Sequence, residues 1–211
     1  VSLYLLFTSC FSFLTKLLIL FLLENFMSNL QQRIVITGGP GSGKSTLIDA
    51  LITKGYTCLP EAGRGVIQTQ VSINGNALPW SDRMAFAEWM LCWEMRSWHA
   101  VEGCKEICFF DRGIPDIAGY LNLCHLPVPA HLDKAIQTFR YSKQVFIAPP
   151  WPEIYTQDAE RKQSIEEAEL TYLAMVTTYQ KYGYQLLELP RASVEKRAEF
   201  VISNIANKGK N

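Results

Sequence analysis

The sequence predicts an α/β domain of three layers, with a five-stranded parallel sheet covered by helices on both faces. Three observations carry that expectation. Short apolar runs alternate with longer segments of helical spacing along nearly the whole chain after residue 27. Most of the runs are bounded by glycine or proline. With 211 residues, 48% of them hydrophobic, the chain has enough apolar material for one sizeable core plus an appended segment.

Residues 33–37, RIVIT, read as a buried strand, broken at once by the glycines of GGPGSGKSTL. A helix follows over 45–54, with Leu47, Ile48 and Leu51 on one face and Gly55 stopping it. A second short strand covers 56–59 and ends at Pro60-Glu61. Residues 81–101 form a long helix rich in Trp and Met, and 106–110 a third strand. Helices are expected over 114–123 and 130–141, with a fourth strand at 144–148 closed by Pro149-Pro150. Ser164 and Glu167 make an S-x-x-E capping box, after which Ile165, Ala168, Tyr172, Met175 or Val176, and Tyr179 recur at helical spacing. Gly183 stops that helix, a fifth strand covers 184–189, and a closing helix covers 193–206.

Charge excludes one class of partner. Lys plus Arg and Asp plus Glu each number 20, so no basic field draws the chain onto nucleic acid. The six cysteines form no C-x-x-C pair and mostly lie in apolar runs, which suits free thiols in a reducing compartment, hence a cytoplasmic location. Cys104, Cys108 and His125 make only a weak zinc set. Residues 1–26 stand apart: they are long and apolar enough to span a bilayer, yet lack a basic leader and a cleavage site. They read as upstream translation before an ordinary start at Met27, with a membrane anchor as the alternative. The folded domain is expected over 27–207, with 208–211 as a tail.

Gly38, Gly43, Lys44 and Ser45 satisfy G-x-x-x-x-G-K-[ST], directly after an apolar strand and before a helix, the context that a phosphate-binding loop requires. Glycines let the backbone curl so that N–H groups converge on a β-phosphate, and the helix start adds its positive dipole end. The nucleotide-binding set is expected to be Gly38, Gly39, Pro40, Gly41, Ser42, Gly43, Lys44, Ser45 and Thr46, with Thr46 also readable as a plain first-turn residue. Lys44 places a charge between β- and γ-phosphates, and Ser45 offers a hydroxyl to Mg²⁺. A glycine-rich turn that merely joins strand to helix is the competing reading.

The other strand ends carry charges. Asp111 closes an apolar strand, where a carboxylate can hold Mg²⁺ directly or through water. Arg112 beside it can clamp an anionic second ligand, or simply pair with Asp111. Glu61 closes the second strand, where a carboxylate can take the proton of an acceptor hydroxyl, or instead satisfy the amides of a following helix. Asp116 has no assigned role. In residues 81–101, Phe86, Trp89, Trp93 and Trp98 spread over more than one helical face. Core packing explains them, with a stacking pocket for a ring as the alternative and Arg83, Glu88 and Arg96 as its polar groups. His99, His125 and His131 stand at no useful spacing to a Ser or Cys nucleophile.

GGPGSGKSTL, PEAGR, FFDRGIPD and YQKYGYQLLELP, in this order and spacing, resemble a small bacterial AAA-type P-loop ATPase family, close in architecture to nucleoside and nucleotide kinases. The likeness covers 33–205. It implies a kinase-like strand order, with the strand of Asp111 beside the P-loop strand, and a helical lid. It further implies that Glu61 acts as base, that Asp111 and Arg112 fill the acidic-Arg pair after the third strand, and that Arg161, with Lys162, belongs to a basic lid. A surface-helix role competes for those last two. The tail at 207–210, NKGK, lacks the Asp of the guanine-reading N-K-x-D motif, so ATP is expected over GTP.

The expected activity is therefore Mg-ATP-dependent phosphoryl transfer to a small metabolite such as a nucleoside or nucleotide. Lys44, Glu61, Asp111, Arg112 and Arg161 form the catalytic set, with Ser45 and Asp111 on the metal. The alternative is an ATPase or GTPase module whose nucleotide state controls a protein partner, with no small-molecule acceptor.

Overall fold

A computed structural model of the chain describes residues 32–154 and 164–206. The N-terminal extension and the expected lid residues Arg161 and Lys162 lie outside these. Among the described residues, no helix is long and apolar enough to cross a membrane.

The chain alternates strand and helix as expected: β1 (Arg33–Gly38), α1 (Lys44–Thr53), β2 (Thr57–Leu59), α2 (Ala62–Ser72), α3 (Arg83–Ala100), β3 (Cys108–Asp111), α4 (Ile114–Leu123), α5 (Ala130–Thr138), β4 (Gln144–Ala148), α6 (Ile165–Lys181), β5 (Gln185–Glu188) and α7 (Val194–Ala206). All strand pairs are parallel and the sheet runs β2-β3-β1-β4-β5, so the strand of Asp111 does lie beside the P-loop strand.

Alternation along each strand sorts side chains between two cores. Val35, Phe110, Val145 and Ile147 face one side, packed with residues of α2, α3, α4, α5 and α6. Ile34, Ile36, Phe109 and Phe146 face the other, packed with Leu47, Ile48 and Leu51 of α1 and Ala198 and Val201 of α7. Where α4 crosses α6, Gly119 is the device: a methyl there would stand 2.9 Å from the Met175 sulfur. The capping box forms in full, with Ser164 accepting from the Glu167 amide and Glu167 accepting from the Ser164 amide.

Several expectations are corrected. Helix α2 is absent from the sequence reading, because two glycines in AGRGVIQTQVS depress local propensity. Burial of Ala62, Val66 and Gln70, spaced by four, holds it instead. Helix α5 ends at Thr138 rather than 141, since the next residues are committed elsewhere. The Arg140 carbonyl accepts from the Trp98 indole at 2.9 Å, and the Tyr141 amide donates to the Tyr184 hydroxyl at 3.4 Å. Ile165 is exposed, unlike Ala168, Met175 and Tyr179 on the same helix. On α3, Phe86 and Trp98 enter the core, Trp93 is half-buried and Trp89 faces solvent.

Candidate functional site

The charged residues of interest gather at the carboxyl edge of the sheet, where parallel α/β folds place ligands. Gly38 ends β1 with φ +133°, and a Cβ there would stand 2.4 Å from the Ala148 carbonyl oxygen, so only glycine fits. Gly43 starts α1 in the left-handed region, at φ +72°. No side chain caps that helix and its first turn holds no acid, which leaves its leading amides for an anion.

Lys44 is buried and folded back on the loop, donating to the Gly39 carbonyl at 2.7 Å and the Gly38 carbonyl at 3.1 Å. Burial, then the nearby Arg112 cation, lower its pKa to about 8 against the pull of Asp111 and Glu61. Ser42 donates to the Gly39 carbonyl at 2.8 Å, and Thr46 spends its hydroxyl on the Gly43 carbonyl at 2.9 Å.

The loop has a support that the sequence reading missed. Arg197 of α7 is 2% exposed, donating to the Gly43 carbonyl at 3.0 Å and the Ser42 carbonyl at 3.1 Å. Its guanidinium lies 5.8 Å from the Trp151 ring, and burial lowers its pKa. A lone Arg in a closing helix carries no local signal of such a role.

Asp111 ends β3 buried beside the loop, and one of its carboxylate oxygens, Oδ1, is buried without a hydrogen-bond partner. Burial raises its pKa, with Glu61 and Asp116 adding and Lys44 and Arg112 opposing. An orphaned carboxyl oxygen at the end of the strand beside the P-loop strand suits a hard divalent cation, which takes oxygen ligands and keeps several waters.

Arg112 does not make the local pair with Asp111. Its Nε donates to Glu61 at 2.9 Å and its Nη1 to Asp116 at 3.1 Å. The backbone is strained to achieve this, with Arg112 at φ +75°, a left-handed conformation that non-glycine residues seldom adopt. Its amide is tied to the Ile36 carbonyl at 3.0 Å, so β1 fixes the turn. Glu61 precedes α2 but makes no side-chain cap, which removes the helix-start alternative; its carboxylate serves Arg112. Burial pushes the Glu61 carboxyl up, yet Arg112, Lys44 and Arg64 together hold it below the ordinary value. Glu61 is therefore an ionised hydrogen-bond acceptor at the edge of the cleft.

Asp116, which had no assigned role, is the hub of this cluster. It is buried and accepts from the Thr37 hydroxyl at 2.5 Å, from Arg112, from the Gly113 amide at 3.0 Å and from the Tyr179 hydroxyl at 2.5 Å. Thr37 directly precedes the loop and Tyr179 lies on α6, so one carboxylate ties β1, the β3–α4 turn and α6 together. The three histidines stay outside: His99 meets Glu102, His131 meets Glu88, and His125 lies beyond the end of α4.

Solved structures share this architecture at low identity. Deoxyadenosine kinase from M. mycoides superposes with a TM-score of 0.61 at 15% identity, covering 83% of this chain and 99% of that one. Thymidylate kinase from Ehrlichia chaffeensis gives 0.57 at 15%, covering 82% and 98%. The NadR protein, solved in complex with NR, gives 0.60 at 17%; the match spans 86% of this chain and only 52% of that one. No curated protein matches the chain significantly by sequence. A family model described as AAA domain matches residues 33–197, and the chain accordingly belongs to that AAA domain family, with a P-loop fold like that of nucleoside and nucleotide kinases.

Proposed function

We propose that the chain is a Mg-ATP-dependent phosphotransferase acting on a small hydroxyl-bearing metabolite such as a nucleoside or nucleotide. The observation that carries this reading is the Glu61–Arg112 contact at 2.9 Å, built onto the strand ends beside the loop and held there against backbone strain. A plain ATPase has no need of a second charged cluster on that side.

In this reading the loop amides and Lys44 bind the β- and γ-phosphates, with Lys44 leaving its carbonyl partners for phosphate oxygens. Ser45 and Asp111 would hold Mg²⁺, which when bound supplies charge neutralisation to the triphosphate. The acceptor hydroxyl donates to Glu61, and its oxygen attacks the γ-phosphorus as the bond to the bridging oxygen breaks. ADP leaves, and the hydroxyl proton passes to Glu61 and then to water. A carboxylate held below its ordinary pKa is a weak base, so Glu61 acts chiefly by orienting the hydroxyl, consistent with a loose transition state. Arg112, held between Glu61 and Asp116, keeps Glu61 in place. A cytoplasmic location accords with the free cysteines among the described residues.

ADP formation, measured with Mg-ATP and with or without nucleosides, nucleotides and vitamins, tests the assignment. An acceptor should raise the rate well above that of Lys44→Ala, and Glu61→Gln should lower acceptor-dependent turnover about 100-fold. If no acceptor raises the rate, the nucleotide-controlled binding module replaces the kinase.

A further inference from the structure

Glu94 is a buried acid that the mechanism above leaves unused. It lies on α3, is 4% exposed, and makes no hydrogen bond or ion pair with any other described residue. An unpaired buried carboxyl is costly, and native proteins keep few of them without a purpose.

Its position points to the acceptor side. Phe86, Met90 and Glu94 are spaced by four and form one stripe along α3. That stripe borders Glu61: a methyl on Gly63 of α2 would stand 3.4 Å from the Met90 sulfur, 3.7 Å from the Phe86 ring and 3.7 Å from Glu61 Oε1. Farther along α2, Gly65 lies against the Trp93 ring, where a Cβ would stand 2.8 Å away. Glu94 feels the charges of Asp116, Asp111, Glu61 and Arg112, and Tyr141 lies within its field. One polar group thus interrupts an apolar, ring-lined stripe next to the group assigned to the acceptor hydroxyl.

We infer that Glu94 is the acceptor-recognition residue, hydrogen-bonding the amide-like edge of a planar heterocycle, so that the acceptor is an unphosphorylated nucleoside rather than a nucleotide. This rests on the phosphotransferase reading. Burial, reinforced by the three neighbouring acids, raises the Glu94 pKa well above the ordinary value, which gives the group one O–H donor beside one acceptor. That pattern matches an edge carrying an adjacent acceptor and donor, while Phe86 and Met90 suit the ring faces. Charge argues against a phosphorylated acceptor. The phosphate would bring about two negative charges toward Glu61 and Glu94, and Arg112 is already shared by Glu61 and Asp116. Arg64 of α2, which also acts on Glu61, is itself exposed to solvent.

The test uses the purified chain with Mg-ATP and two sets of probes: adenosine, guanosine, cytidine, uridine, thymidine and nicotinamide riboside, and the 5′-monophosphates of each. The wild type should phosphorylate at least one nucleoside with a higher kcat/KM than its monophosphate. Glu94→Leu should lower that kcat/KM about 30-fold or more, because the base edge loses its partner in a dry site. Glu94→Gln, which keeps a donor beside an acceptor, should stay within about tenfold of wild type. The Kd for ATP, read by fluorescence titration, should remain within about twofold in both variants, and Glu94→Leu should melt no lower than wild type. A preference for monophosphates, an unchanged kcat/KM in Glu94→Leu, or a Glu94→Gln loss equal to that of Glu94→Leu overturns this assignment alone. If the wild type phosphorylates neither set, this assignment falls, and the phosphotransferase reading falls with it only when no other acceptor raises ADP formation either.

Discussion

Replacing Asp116 by Asn should cost the domain about 3 kcal/mol, although the two side chains have nearly the same shape. The carboxylate accepts four bonds: Thr37 and Arg112 on Oδ1, Gly113 and Tyr179 on Oδ2. An amide can retain one of these sides. Its NH₂ then faces the Gly113 N–H and leaves a buried donor unpaired, at roughly 1–3 kcal/mol. The bonds on the retained side lose their ionic assistance, at about 1 kcal/mol together after partial relaxation. For a domain of this size, each kcal/mol moves Tm by about 2–4 °C, so the expected drop is about 6–12 °C. Differential scanning calorimetry of wild type and Asp116→Asn measures it, with urea unfolding as the check on a common m-value. A drop of less than about 2 °C would refute the assignment of Asp116 as the hub.

Two further outcomes follow from the loop. Phosphate binding needs the Lys44 ammonium, and in the free protein that group loses its proton near pH 8. Affinity for ATP should be full below that pH and fall about tenfold per unit above it, to about 30-fold weaker at pH 9.5. Lys44→Arg should remove the slope, and an unchanged wild-type Kd between pH 7.5 and 9.5 would contradict the burial argument. Arg197→Met removes both bonds to the loop carbonyls and should weaken ATP binding about tenfold by equilibrium titration. Arg197→Lys should not restore it, since an ammonium does not reproduce the guanidinium fork across Ser42 and Gly43.

The sequence by itself determined what depends on near neighbours. Apolar runs and glycine stops located the strands and most helices, the Ser164–Glu167 box opened α6, and the G-x-x-x-x-G-K-S spacing defined the loop with its strand-to-helix context. Such features are written within a few residues, where propensity and capping act. Only the tertiary structure decided which charges meet. Arg112 finds Glu61, 51 positions away, rather than the adjacent Asp111, because β1 holds the turn in a left-handed conformation that aims the guanidinium across β3 toward β2. Asp116 and Tyr179, 63 positions apart, meet because α4 and α6 cross at Gly119. Arg197 reaches the loop across 154 positions, and Glu94 is buried on α3 although nothing in its local sequence marks it. Charge pairing and burial are set by distance in space, and the crossovers of a parallel sheet separate that distance from position along the chain.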